Sequence, residues 1–207
     1  FPILRKYNLP FSVFVSTDYV SNKEDSDYMS WDMLREISKN NGLVLNHTSS
    51  HKSLINLSFN DLKKDVEKAQ KIINKEIGVQ PMIFSYPYGE SDINSENMLK
   101  DLGYEVAFSQ HSALVHRDEL KFRLPRFSLN DEYGNLKRFK TITKALPLII
   151  YNESFKNTLV DSESLIFSFD TNFASKLVNC FINNDAVIKK NSDNSKNLVL
   201  QIQNLKE

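Results

Sequence analysis

Cysteine is almost absent: Cys180 is the only one in 207 residues. Neither an internal disulfide framework nor a cysteine-rich zinc cluster can be built from it. Net charge is absent too, Lys+Arg 26 balancing Asp+Glu 26. No whole-chain field therefore draws phosphate backbones or anionic lipid, and nucleic acid is not expected as a partner. No apolar run approaches the roughly 20 residues that span a bilayer, so no transmembrane segment is expected. The N-terminus lacks the basic and apolar regions of a signal peptide. Because the chain opens on Phe1 rather than Met, directly in helix-like sequence, it reads as cut from something longer, and this lack excludes nothing.

What is present is the composition of a globular protein, 41% hydrophobic and 25% charged, long enough for one good core or for one domain with a smaller one appended. "FPILRKYNLP" has near-helical apolar spacing and stops at Pro10, as the second half of a helix would. "FSVFV" reads as a strand, and "SWDMLREISKNNG" as a short helix capped by Ser30 and closed by Asn-Gly. "LVLN" follows as a buried strand with His47 just past its end. Ser58 then caps a long helix with Leu62, Val66, Ala69, Ile72 and Ile73 on one stripe and Gly78 at its stop. "MIFSYPYG", "SENMLKDLG" and "YEVAFS" add a strand, a helix and a strand. Such alternation predicts parallel βαβ units, in an α/β barrel or a doubly wound sheet, with the chemistry at the C-terminal ends of the strands.

After about Phe139 the texture changes. "LIFSFD", "LVNCFI", "AVIKK" and "LVLQIQ" are short apolar runs between Asn/Asp/Ser-rich turns, with "KKNSDNSKN" as a hairpin loop. A separate antiparallel β unit is expected there, giving domains 1–140 and 141–207.

Two of the chain's four histidines, His47 and His51, stand four residues apart in "LNHTSSHKSL". On a helical turn that spacing lets one metal ion use both rings, and the polar loop after a buried strand is where an α/β enzyme keeps ligands; surface or capping histidines are the other reading. Thr48, Ser49 and Ser50 are placed to fix ring orientation. Neutral imidazoles are needed, so metal is expected to be lost below about pH 6 to 6.5. "FSYPYGE" sets Tyr86, Pro87, Tyr88 and Gly89 at the next strand's end, either as a packed proline turn or as a rigid loop offering a backbone N–H and an aromatic wall to a substrate. "FRLPRF" offers Arg123 and Arg126 as surface charges or as holders of a catalytic carboxylate. Trp31 is either core or a sugar-stacking face.

In order and spacing these segments, with "LGYEVAFSQHSA", resemble the polysaccharide deacetylases of the NodB-homology type, carbohydrate esterase family 4, over about residues 1 to 130. The resemblance implies a distorted (β/α) barrel, incomplete at its N-terminus, followed by the small β-rich unit. It implies a metal-dependent hydrolase that removes acetyl groups from N-acetylated sugars of a polysaccharide or oligosaccharide and releases acetate. His47 and His51 match the histidines that bind the divalent metal, usually zinc. Tyr88 matches the residue whose backbone N–H holds the oxyanion, with Tyr86 and Pro87 beside it at the substrate. Arg126 resembles the arginine that orients the catalytic aspartate, and His111 or His116 would be the general acid. The family's Thr-Phe-Asp-Asp-Gly motif, source of the base and of a third ligand, would lie before Phe1, so this chain is expected to be an incomplete form without the catalytic Asp pair. Ser85 stands where many relatives carry an arginine. A non-catalytic carbohydrate-binding protein on the same barrel is the alternative. An extracellular, periplasmic or cell-surface location follows from the resemblance alone.

Overall fold

The computed structural model of the chain describes residues 1–21, 27–117, 120–154, 162–181, 186–191 and 195–203. The chain divides into two compact units, Phe1–Ser112 with Asp118–Ser128, and Ala113–Arg117 with Leu129–Glu207. No helix among the described residues is long and apolar enough to cross a membrane.

The first unit follows the alternation read from the sequence: α1 (Pro2–Lys6), β1 (Phe11–Val15), α2 (Trp31–Ser38), β2 (Gly42–Asn46), α3 (Phe59–Ile77), β3 (Ile83–Ser85), α4 (Ile93–Asp101) and β4 (Val106–Phe108). The four strands form one parallel sheet in the order β1-β2-β3-β4. It is a mixed α/β fold. The helices start where capping chemistry dictates. Ser30 accepts from the Met33 N–H at 3.3 Å and Ser58 from the Asp61 N–H at 3.2 Å, while Asp92 and Ser95 cap α4 reciprocally. Gly78, at φ +80°, closes α3 in the left-handed conformation that glycine adopts without strain.

The Asn-Gly expected to close α2 is divided between two tasks. The helix ends at Ser38, Asn41 takes the left-handed turn at φ +60°, and Gly42 already belongs to β2. A Cβ on Gly42 would lie 2.4 Å from Cγ2 of Ile37, so only glycine lets the strand pass under the end of the helix.

Alternation along the strands sorts the side chains. Val15, Val44, Phe84 and Ala107 pack against the helical layer, joining the buried α2 and α3 residues Leu34, Ile37, Val66 and Ile73. Burying a side chain of this kind stabilises by about 1.5–3 kcal/mol, so the stripe on α3 anchors that helix. Phe14 and Phe108 point to the other face, where their rings meet edge to face at 6.0 Å. In a flat sheet β1 and β4 would lie about 14 Å apart, at the usual spacing of about 4.8 Å per strand. The ring contact therefore records a strong curl, which continues past β4, where Leu124 bridges Phe108 in parallel.

The second unit holds the helix α5 (Leu136–Ile142) and the strands β5 (Ile150–Tyr151), β6 (Ser164–Thr171), β7 (Val187–Asn191) and β8 (Asn197–Gln203). They make an antiparallel sheet in the order β5-β6-β8-β7. Phe169, Leu198 and Leu200 form its core with Val178. The run "LVNCFI" is not a strand through Phe181. Its Leu177 and Val178 N–H groups donate to Ala174 and Ser175, so the backbone closes a local turn instead of joining the ladder. Ile182 and the 192–194 tip of the expected hairpin loop lie outside the described residues.

Candidate functional site

The parallel strands deliver their C-terminal ends to one edge of the first unit. His47 follows β2 directly, and its N–H still donates to Val15 of β1 at 3.1 Å. Its ring is fixed by a main-chain group to which the sequence reading gave no part: Nδ1 lies 2.6 Å from the carbonyl oxygen of Ser85. A carbonyl can only accept, so Nδ1 carries the proton and Nε2 keeps its lone pair for another partner. The Ser85 hydroxyl is buried and has no hydrogen-bond partner among the described residues.

The loop to His51 is braced from three sides. The side-chain oxygen of Asn46 accepts the Thr48 N–H at 2.8 Å, and its amide donates to the Val66 carbonyl at 3.1 Å and to the Tyr104 hydroxyl at 2.5 Å. Thr48 Oγ1 accepts the His51 N–H at 3.0 Å. From α3, Asp65 accepts the Ser50 N–H at 3.1 Å, and Lys68 reaches Asp18 at 2.6 Å while Ser49 donates to the same carboxylate oxygen at 2.8 Å. The loop hydroxyls thus brace backbone and carboxylate; the ring of His47 is oriented by Ser85 instead. Asn46, Asp65 and Lys68 were missed in the sequence. Asn46 carried the one available signal, a polar residue closing an apolar strand next to a candidate ligand.

His47 and His51 approach with ring centroids 4.9 Å apart at 70°, and Tyr88 meets His51 at 5.0 Å. Tyr88 sits at φ +58° in a turn closed by the Gly89 and Glu90 N–H groups donating to Tyr86 and Pro87; its own N–H takes no part in those bonds. Gly89 is required, because a Cβ there would lie 2.3 Å from Cβ of Gln110. Burial pushes the His47 imidazole down to about 4, with the positive potentials of His51 and Arg126 acting in the same direction and the Ser85 bond opposing them. The loss of ligand character expected below pH 6 to 6.5 is therefore not set by His47, which stays neutral well below that range.

The remaining candidates separate. Arg126 donates through Nε to the Ser109 carbonyl at 2.7 Å, and burial lowers its pKa. The His111 carbonyl accepts the Arg126 N–H at 3.1 Å, so these two are neighbours. Arg123 donates through Nε and Nη2, at 2.8 and 2.6 Å, to one oxygen of the buried Glu96, and is not available to hold a catalytic carboxylate. Tyr86 corrects the reading of it as a substrate wall. Its ring is fully buried in the helix-facing core against Phe84, and its hydroxyl donates to Phe122 at 3.0 Å. Pro87 is buried as well, so Tyr88, 61% exposed, is the aromatic face of this loop. Trp31 packs against the core of Leu34 and Ile37. His116 belongs to the second unit.

A cavity of about 560 Å³ runs beside His51, lined by the successive residues Val13, Phe14, Val15 and Ser16 and by Tyr19, Tyr28 and Met29. Consecutive residues of β1 point to opposite faces, so the cavity follows the backbone edge of β1 that pairs with no strand among the described residues.

Two imidazoles, one with a fixed tautomer, suit a borderline divalent cation in kind. In number they fall short of the three protein ligands of a catalytic zinc site. Among the described residues no group of three or more His, Cys, Asp or Glu side chains could hold a metal.

Residues 1–107 match polysaccharide deacetylase, and the chain belongs to that family. It is 28% identical over 145 residues to the poly-β-1,6-N-acetyl-D-glucosamine N-deacetylase of Staphylococcus aureus (strain MSSA476), covering 64% of this chain and 49% of that protein. The protein of the same name from Staphylococcus epidermidis is 24% identical over 148 residues, covering 66% and 51%. This chain thus spans about half the length of these relatives. Among solved structures, the Streptococcus pyogenes deacetylase PplD, in complex with acetate, shares the fold at a TM-score of 0.64, with 14% identity over 70% of this chain and 63% of that one. IcaB from Ammonifex degensii does so at 0.60, with 20% identity over 70% and 66%.

Proposed function

We propose that this chain carries part of the active site of a metal-dependent hydrolase that removes acetyl groups from the N-acetylglucosamine units of a polysaccharide and releases acetate. The observation that carries the reading is the Nδ1–H bond from His47 to Ser85, which leaves the lone pair on Nε2 of a ring whose centroid lies 4.9 Å from that of His51. The polymer substrate is that named for the staphylococcal relatives, and it implies a site outside the cytoplasm.

The fold is proposed as a distorted (β/α) barrel in which a further strand, contributed from outside these residues, pairs along the free edge of β1 and fills the cavity there. The curl between Phe14 and Phe108 and the position of His51 on that cavity support this reading. Such a strand would bring carboxylates as third ligand and base, completing a set of which this chain supplies two. His47 and His51 would hold the cation, zinc by preference, which when bound supplies Lewis acidity toward the acetyl carbonyl and the attacking water. The Tyr88 N–H faces the developing oxyanion. Arg126, anchored through Nε, keeps its two terminal nitrogens for the incoming carboxylate. His111, neighbour of Arg126, protonates the leaving sugar nitrogen. A carbohydrate-binding role without catalysis is not favoured, since it needs no pair of adjacent imidazoles with the tautomer of one fixed.

Zinc competition titrations test the site: His47→Ala and His51→Ala should each lower zinc affinity by orders of magnitude, and unchanged affinity and stoichiometry in both would remove it. Turnover tests the completion. The chain alone, with zinc, should release negligible acetate from acetylated β-1,6-glucosamine oligomers, and robust release would mean that the catalytic carboxylate lies within it.

A further inference from the structure

Of the aromatic side chains expected to meet a sugar, Trp31 and Tyr86 are taken up by the core, and Tyr88 alone stands in the open. Two others, to which the sequence reading gave no part, line the cavity beside His51: Tyr19, 46% exposed, and Tyr28, 55% exposed. The exposed carboxylate of Asp27 lines it with them.

The segment after β1 is fixed by residues other than these. The Thr17 N–H donates to the Thr48 carbonyl at 3.2 Å and the Asp18 N–H to that of Ser49 at 3.0 Å, so the turn Thr17–Tyr19 is fastened to the histidine loop. Val20 and Met29 pack on the core of Val15 and Leu34, and the Ser21 N–H donates to the Met29 carbonyl at 3.1 Å. Anchoring therefore belongs to Val20 and Met29, while the tyrosines next to them in sequence keep their rings at the cavity. Those rings meet at 5.4 Å, tilted by 48°. Tyr19 reaches the His51 ring at 6.5 Å, and His51 reaches Tyr88 at 5.0 Å, so four rings follow one another through the histidine. A strand pairing with β1 would take up the backbone groups of Phe11–Val15 and leave this aromatic part of the lining for a ligand.

We propose that Tyr19 and Tyr28, with Asp27 as hydroxyl acceptor, form a subsite for a sugar ring of the polysaccharide next to the unit being deacetylated. The identity of the polymer rests on the hydrolase reading. A β-linked hexosamine carries its substituents equatorially, which leaves axial C–H groups on both faces of the ring. They are apolar and slightly positive, and the face of a tyrosine ring is negative, so the two stack favourably. A carboxylate accepts hydroxyls through either oxygen and fixes the sugar's orientation. The cavity, at about 560 Å³, has the size and the mixture of apolar wall and few polar groups found in small-molecule sites.

Titration of the metal-free full chain with a β-1,6-linked N-acetylglucosamine pentamer, read by proton NMR of the sugar, tests it. Axial ring protons of the bound sugar should move upfield, the ring-current mark of stacking. Tyr19→Ala and Tyr28→Ala should each weaken binding about three- to tenfold and reduce that shift. Tyr19→Phe with Tyr28→Phe keeps both faces and should retain it. Asp27→Ala should weaken binding by a similar factor with the shift of the bound sugar preserved. Tyr7→Ala, at the exposed end of α1, is the control and should bind as the parent does. Absence of binding, an upfield shift undiminished when both tyrosines are alanine, or an equal loss in the control would each overturn the proposal. Because no metal is present, the outcome is separate from the zinc titrations: zinc affinity should be unchanged in the tyrosine variants, and loss of the zinc site with sugar binding retained would remove the hydrolase reading and leave the subsite standing.

Discussion

His47 and Ser85, 38 residues apart in sequence, are joined by a hydrogen bond of 2.6 Å from a ring nitrogen to a main-chain oxygen. Because the acceptor belongs to the backbone, no side-chain replacement at position 85 removes it directly, and the tautomer of His47 is a property of the sheet. Burial and this geometry predict the titration. In the metal-free protein the His47 imidazole should protonate with a midpoint near 4, against 6.5 for the free side chain. The folded value lies below the unfolded one, so the unfolded chain takes the proton first. The resulting stability is fully present above about pH 6.5 and declines as pH falls toward 4, by on the order of 3 kcal/mol for the folded first unit. Imidazole chemical shifts followed through that range measure the midpoint directly; an ordinary value near 6.5 would contradict the buried placement.

Asn46 is the second test, because its side chain reaches three partners from within the core, and none of them is a candidate ligand. Asn46→Ala should cost on the order of 2–4 kcal/mol, since the Thr48 N–H and the Val66 carbonyl lose their partners in a buried setting. It should also weaken zinc binding while both histidines remain, because the turn that sets their spacing starts at Thr48. Urea unfolding and zinc titration of the same variant separate the two effects. Lost stability with unchanged zinc affinity would show that the loop holds its form without Asn46.

Glu96 and Arg123 supply a third. Glu96 is 4% exposed and binds Arg123 through two nitrogens. Removing one partner, as in Arg123→Ala, should cost about 3–5 kcal/mol by leaving a buried carboxylate unpaired. Replacing both by leucine should cost clearly less than the two single changes summed. Denaturation midpoints of the two single variants and the double variant read the coupling, and strict additivity would mean that the pair is not buried in solution.

The elements of the first unit were legible because capping residues and apolar periods are local: Ser30, Ser58 and Gly78 mark helix ends without reference to anything distant. The histidine pair was legible by type and spacing. The direction of Tyr86 was legible in principle, since Tyr86, in the first position past β3, lies two residues from Phe84 and keeps its face, but the attraction of a Tyr-Pro-Tyr-Gly turn outweighed the period. The bracing of the site was not legible. Its acceptors are main-chain carbonyls and its donors come from α3, and nothing in a linear pattern records which carbonyl a ring meets. "LVNCFI" failed for a related reason: a short apolar run specifies burial, and Val178 is indeed buried, but not whether the backbone pairs with a strand or with itself.

Thr48, His51 and Tyr88 all adopt left-handed backbone conformations, at φ +69°, +55° and +58°, without being glycine. Each such residue costs on the order of 1–2 kcal/mol, a cost met once, when the chain folds. The consequence is kinetic. If His47 and His51 hold a cation as proposed, a loop already held in its unfavourable turn has no backbone turn left to form when the ion arrives, so this loop's contribution to capture would be limited by the shedding of the ion's own water shell rather than by refolding of the turn.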